Sequence, residues 1–111
     1  MTVGPDAGLG AVLERAAAEL EGVERSVRGP VVEWSTNGVP FATAEGTRVG
    51  FRLAGPIAVA ALRTPDTETS PRGGDWVAFA PAVLDRHAID RAEAWLASAW
   101  RHAAGRSVGP G

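Results

Sequence analysis

Hydrophobic residues recur at helical spacing near both ends of the chain. An amphipathic first helix is predicted between Asp6 as its N-cap and Gly22 as its stop. Its apolar positions are Leu9, Val12, Leu13, Ala16, Ala17 and Leu20. A last helix, introduced by Pro81 and Asp85, has the apolar stripe Ile89, Ala92, Leu96, Ala99 and Ala103. The residues from Gly105 to Gly111 are predicted to be a frayed tail.

The middle of the chain alternates between apolar and polar residues, as half-buried strands do. Asn37-Gly38 favours a type I′ hairpin turn between strands 31–36 and 39–44. A second hairpin is predicted with the three-residue loop Ala44-Glu45-Gly46. This register places one apolar set on one side of the sheet, namely Val32, Trp34, Val39, Phe41, Val49, Phe51 and Leu53. We therefore expect Trp34, Phe41, Val49 and Phe51 to be buried together, with Arg48 and Arg52 exposed on the other side.

The opposite face of the sheet is predicted to stay uncovered by helices. Its residues would be Glu33, Ser35, Pro40, Ala42, Ala44, Arg48, Gly50 and Arg52. Residues 23–28 are expected to form an irregular edge strand, 57–63 a short helix and 64–75 a long loop. A fourth strand follows at 76–80, with Val77 and Phe79 facing inward and Trp76 therefore on the uncovered face.

These elements predict a single α+β domain over residues 1–111, with an ordered core at about 6–104. We expect an antiparallel meander of three to four strands, packed on one face by the N-terminal and C-terminal helices. The longest apolar run, Ile57 to Leu62, is too short to cross a bilayer. The N-terminal residues MTVGPDAG lack the pattern of a signal peptide, so we expect a cytoplasmic protein without a membrane partner.

The composition narrows the chemistry available. The chain has no cysteine, which excludes thiolate catalysis and thiolate metal sites. Its 11 basic residues are all arginine. The formal net charge is -2, so nucleic acid is an unexpected partner unless the middle arginines gather on one face.

Two side-chain pairs on the last helix could meet, His87 with Asp90 and Ser98 with His102. Neither pair brings the third group that orients a catalytic base, so we predict no catalytic residues. The two histidines lie 15 residues apart on one helix, about 22 Å by rise per residue. They cannot share an ion, and we predict neither a metal nor a cofactor.

A binding surface is predicted where the uncovered sheet face meets the 64–75 loop. Its residues are Glu33, Arg48, Arg52, Arg72, Asp75 and Trp76. Aromatic and arginine side chains dominate protein-binding surfaces, and arginine also binds anions. We therefore predict a noncatalytic binding or regulatory module for a protein partner or a small anionic ligand. In a second interpretation this face is merely solvated or closes a homodimer.

Residues 39–103 resemble small bacterial α+β domains in the order of their elements. That order is the run GVPFATAEGTRVGFRL, a short helix, a loop, the strand DWVAF and the closing helix DRAEAWLASAWRHA. One such group is the YjbR/MmcQ-like family, and the other is an uncharacterised family labelled luciferase-like. The first resemblance implies DNA binding, although the acidic balance and the absence of lysine depart from it. A DNA-binding protein and a small enzyme of unknown reaction are thus the alternative functions. Neither family supplies catalytic residues to transfer.

Overall fold

The computed structural model describes residues 8–108, and the side chains of 8–105. Three helices and six strands follow in the order α1 (Leu9–Ala17), β1 (Val23–Arg28), β2 (Val31–Thr36), β3 (Val39–Glu45), β4 (Arg48–Arg52), α2 (Gly55–Ala61), β5 (Thr67–Thr69), β6 (Trp76–Phe79) and α3 (Arg86–Val108). No helix in this described part is both long and apolar enough to cross a membrane.

All six strands form one antiparallel sheet in the order β1-β2-β3-β4-β6-β5. The α+β class and the antiparallel meander are confirmed, and the sheet is wider than predicted. The prediction that 64–75 is wholly loop is wrong, because Thr67–Thr69 pairs with β6 as an edge strand. The Thr67 hydroxyl helps to position that strand by lying within hydrogen-bonding distance of the Ala61 and Thr64 carbonyl oxygens, at 2.9 and 2.7 Å.

The predicted three-residue loop between β3 and β4 is also wrong. Glu45 pairs with Arg48, so the turn contains only Gly46 and Thr47, and Gly46 has a φ of +62°. Glycine at the first central position is typical of a type II′ turn, whose twist suits a hairpin. The Asn37-Gly38 turn forms as predicted, with φ values of +51° and +80°.

A β-bulge explains why the shorter turn does not push the arginines into the core. Ser35 pairs with Pro40 and Trp34 with Ala42, so Phe41 is an extra residue in β3. A bulge shifts the alternation of side chains by one position. Phe41, Ala42 and Ala44 are consequently all buried, and Ala42 and Ala44 do not lie on the uncovered face where we predicted them. Thr43 and Glu45 take their places.

The core lies between one sheet face and the helices α1 and α3. Trp34, Phe41, Val49 and Phe51 are buried together as predicted, while Arg48 is exposed and Arg52 half-buried on the other side. The α3 helix packs on β2, β3 and β4, and α1 packs on β3, β4 and α3. Trp95 of α3 closes the core from above, with its ring 5.2 Å from Phe79 and 6.1 Å from Phe51.

The helix ends differ from those predicted. The α1 helix ends at Ala17, before the predicted stop at Gly22, and Gly8 is its N-cap. Asp6, predicted for that role, lies outside the described residues. At the start of α3, Asp85 is confirmed as the cap because its Oδ1 accepts a hydrogen bond of 2.9 Å from the Ala88 amide. The helix continues to Val108, so residues 105–108 are not a frayed tail, and 109–111 lie outside the described residues.

Candidate functional site

The sheet face that carries no helix is called the open face here. Four of the predicted binding residues lie on its strands, and the other two lie in the segment that precedes β6. Glu33 lies on β2, Arg48 and Arg52 on β4, and Trp76 on β6, where it pairs directly with Arg52. Arg72 and Asp75 lie in the segment between β5 and β6. The register of the sheet therefore brings residues from three strands and one loop to a single surface.

Trp76 is the centre of the open face, but its own chain covers it. The guanidinium carbon of Arg72 lies 4.5 Å from the Trp76 ring centroid, a cation-π distance. The same guanidinium donates a hydrogen bond of 2.8 Å to Glu33 of β2, which is separated from β6 by two strands. The 70–75 segment is thereby held over the face, and Trp76 is buried, at 9% exposure, on the side of the sheet opposite the main core cluster.

Gly50 lies beside both Thr43 and the Trp76 ring on the open face. A Cβ atom at Gly50 would lie 2.9 Å from the Thr43 hydroxyl oxygen and 3.7 Å from Trp76 Cε3. The first distance is too short, so a side chain there would displace Thr43, while the second is an ordinary contact with the ring. The absence of a side chain at Gly50 thus keeps the Thr43 hydroxyl in its place next to the indole.

The remaining predicted residues divide into paired and unpaired groups. Arg48 forms an ion pair with Glu68 of β5. Among the described residues, neither the Arg52 guanidinium nor the Asp75 carboxylate has a recorded side-chain partner. Since two of the three arginines are already neutralised by glutamates, the open face is a charge-balanced surface more than a cationic one.

A second candidate site, which the sequence did not predict, is an apolar groove of about 920 Å³ on the opposite side of the sheet. It lies between the start of α1, the β1–β2 and β3–β4 turns, and the segment before α3. Its apolar lining includes Leu9, Val32, Trp34, Ala44, Pro81 and Leu84, and two charged residues of α1, Glu14 and Arg15, contribute to its lining. A volume of this size is within the range of small-molecule sites.

The groove lies beside the start of α1. Its helical lining comes from residues 8–11, 14 and 15, and its sheet lining includes Val32, Trp34 and Ala44. The start of α1 carries two glycines, Gly8 at the N-cap and Gly10 in the first turn. Gly10 lies over β3, where a Cβ atom would be 4.0 Å from the Ala44 Cβ, an ordinary contact distance.

The side chains weighed for catalysis remain apart. His87 is exposed at the start of α3, while His102 is half-buried near its end. Within the described residues, His102 Nε2 is buried without a hydrogen-bond partner, and no group of three potential metal ligands occurs. Neither histidine is therefore part of a recognisable proton-transfer arrangement in this part of the chain.

In comparisons with known proteins, no protein-family model, curated protein or solved structure matches the chain. The resemblance to the two bacterial families therefore stays a prediction.

The stacked arrangement on the open face predicts an energetic coupling between Arg72 and Trp76. In a double-mutant cycle with Arg72→Ala and Trp76→Leu, we expect a coupling free energy of about 0.5–1 kcal/mol, measured by urea denaturation. The matched control is the cycle of Trp76→Leu with Arg48→Ala, because Arg48 lies on the same face but pairs with Glu68. Equal coupling in the two cycles would show that the stacking contributes nothing in solution.

Proposed function

We propose that the protein is a noncatalytic binding module whose groove takes a small amphipathic carboxylate, with an apolar tail and an anionic head. The observation that carries this proposal is the combination of about 920 Å³ of largely apolar space with an arginine among its lining residues. This keeps the predicted class of function, recognition of a small anionic ligand, and moves it from the open face to the other side of the sheet.

The apolar lining favours a hydrocarbon tail. Val32, Leu84 and Pro30 are at least partly exposed, so a ligand that covers them removes apolar surface from water. Burial of each methylene contributes about 0.8 kcal/mol. Trp34 and Ala44 are buried beneath them and form the floor of the groove, which makes the lower part of the site rigid.

The charges of α1 favour an anionic head. Glu14 forms an ion pair with Arg25 of β1, whose Nε lies 2.7 Å from Glu14 Oε2. Arg15 is exposed and, among the described residues, has no recorded ion pair. The charge available to a ligand at this end of the groove is therefore that of Arg15, and a guanidinium binds a carboxylate through charge-assisted hydrogen bonds.

The direct test is titration of the protein with octanoate, decanoate and dodecanoate, each below its micelle-forming concentration, followed by tryptophan fluorescence and calorimetry. We expect saturable binding that tightens about fourfold with each added methylene until the groove is full. Ala82→Trp, a change at an exposed lining residue, should fill the groove and abolish binding while leaving the far-ultraviolet circular dichroism unchanged.

The head group is tested by charge removal. Arg15→Gln should weaken decanoate binding about fourfold, and Arg101→Gln, a matched change on the exposed side of α3, should leave it unchanged. No saturable binding of any of the three acids, or equal binding by the Ala82→Trp protein, would contradict the proposal.

We propose the open face as a second binding surface, for a protein partner. It is supported by the exposed Arg72, a residue type enriched at protein interfaces, beside an Arg52 and an Asp75 that form no ion pair in the described part. Trp76 lies beneath Arg72 and is only 9% exposed, so it supports this surface and is not its anchor. A protein with its own mixed charges suits this surface better than a phosphate backbone, because Glu33 and Glu68 lie among the arginines. The same carboxylates weigh against the DNA-binding alternative.

This second surface predicts which substitutions disrupt capture of a partner by the purified protein. Arg52→Glu should abolish recovery of a protein that the wild type retains, since it reverses a charge at the edge of Trp76. Arg63→Glu makes the same change at an exposed position outside the open face and should have no effect. Equal loss with both variants would indicate a nonspecific charge effect and contradict the surface assignment.

A further inference from the structure

The strand β1 is an edge of the sheet with no strand beyond it among the described residues. Five of its six residues are exposed, and Val27 is 55% exposed although it lies on the same sheet face as Trp34. A fully exposed, regular edge strand presents unpaired backbone groups that can bind another strand. The side chains and outward backbone groups of β1 determine which strand can pair with it.

The hairpin geometry fixes which backbone groups of β1 point outward. Arg28 and Val31 flank the two-residue Gly29-Pro30 turn and therefore form a hydrogen-bonded pair. Alternation along the ladder then directs the even-numbered residues of β1 toward β2. The amides and carbonyls of Val23, Arg25 and Val27 point away from the sheet, where a further strand would lie.

An antiparallel second copy of β1 must match these outward groups, so only odd-numbered residues can face one another across hydrogen-bonded pairs. If the symmetry axis passes through Arg25, this residue faces its own copy, which places like charges opposite each other. If the axis passes through Val27, Ser26 faces arginine and Glu24 extends beyond the pairing. The register centred on Ser26 places Glu24 opposite Arg28 of the partner subunit, twice by symmetry.

We propose that the protein forms a twofold dimer in which β1 pairs with β1 of a second copy, antiparallel and centred on Ser26. The sheet becomes continuous across the two subunits, with the helices of both on the same side. Two ion pairs between Glu24 and Arg28 of the partner subunit select this register. Within the described residues, neither Glu24 nor Arg28 has an ion pair in its own subunit, so no existing pair must break.

The remaining side chains of β1 are compatible with this register. Val27 faces Arg25 of the partner subunit and covers its aliphatic stem, while the guanidinium of that arginine stays paired with Glu14 of its own subunit. Charged side chains on an edge strand usually prevent pairing. In β1, however, Glu24 and Arg28 are complementary to the same residues of a second copy. The charges of this strand therefore favour pairing with itself.

A cysteine substitution tests the register directly, because the chain has no cysteine of its own. Ser26 would face its symmetry mate at a non-hydrogen-bonded position, where Cα atoms lie about 4.5 Å apart and a disulfide can form. Ser26→Cys should therefore oxidise to a covalent dimer quickly at low protein concentration. Thr69→Cys, on the exposed edge strand β5 at the other end of the sheet, should cross-link only as fast as random collision allows.

Charge exchange tests the same pairing without a new covalent bond. By sedimentation velocity, Glu24→Arg and Arg28→Glu should each weaken dimerisation about tenfold, and the double variant should restore it. A wild-type protein that stays monomeric at several hundred micromolar would overturn the proposal. So would equal cross-linking of the two cysteine variants, or a double variant no tighter than the singles.

Discussion

The alternation of side chains along β3 is the constraint on which the rest of the molecule depends. This strand pairs with β2 on one side and β4 on the other, and both neighbours contribute large apolar residues to the same core. The extra residue at Phe41 shifts the alternation once, and the two-residue turn at Gly46-Thr47 continues it without a second shift. Together they place Trp34, Val49 and Phe51 under the helices. Loss of the bulge alone would turn one half of β3 over and bury Thr43 and Glu45.

Both candidate surfaces follow from that arrangement. On the open face, the same alternation aligns Arg52 with Trp76 and brings Gly50 beside the indole, and Arg72 reaches Glu33 across the sheet. On the helical face, Ala44 and Val32 lie in the part of the sheet that lines the groove beside the start of α1. A small side chain at Ala44 makes room for the groove, and Trp34 provides its floor. The two surfaces therefore lie on opposite faces of the sheet, and the same strand register determines both.

Most of the architecture was predictable from local signals. Asn37-Gly38, the apolar spacing of α3 and the cap at Asp85 are each determined by neighbouring residues, and each prediction is confirmed. The bulge at Phe41 was not predictable, because the wrong loop length and the missing bulge shift the alternation of side chains in opposite directions. Phe41, Val49 and Phe51 lie on one side in both arrangements, the three-residue loop without a bulge and the two-residue turn with one. The two arrangements differ in the faces that Ala42, Thr43 and Ala44 occupy, and the pattern does not show which face such small residues take.

The candidate sites were harder to predict because they depend on distant contacts. Trp76 was correctly assigned to the open face, but the bond from Arg72 to Glu33 joins residues 39 positions apart, and no local pattern indicates it. The groove is lined by four separate stretches of chain, within 8–15, 30–34, 44–47 and 81–84, which only the tertiary fold brings together. The end of α1 at Ala17 was also missed, because the apolar spacing continues to Leu20 although the helix does not. Tertiary packing, more than helix propensity, determines where such a short helix ends.

The register of β3 against β4 is most directly tested by nuclear Overhauser contacts between α-protons, which are close across non-hydrogen-bonded pairs of an antiparallel sheet. The observed register predicts strong α-proton contacts between Ala44 and Val49 and between Ala42 and Phe51. Contacts from Ala42 to Arg48 and from Pro40 to Gly50, the non-hydrogen-bonded pairs of a three-residue loop, would contradict both the bulge and the positions of the two surfaces.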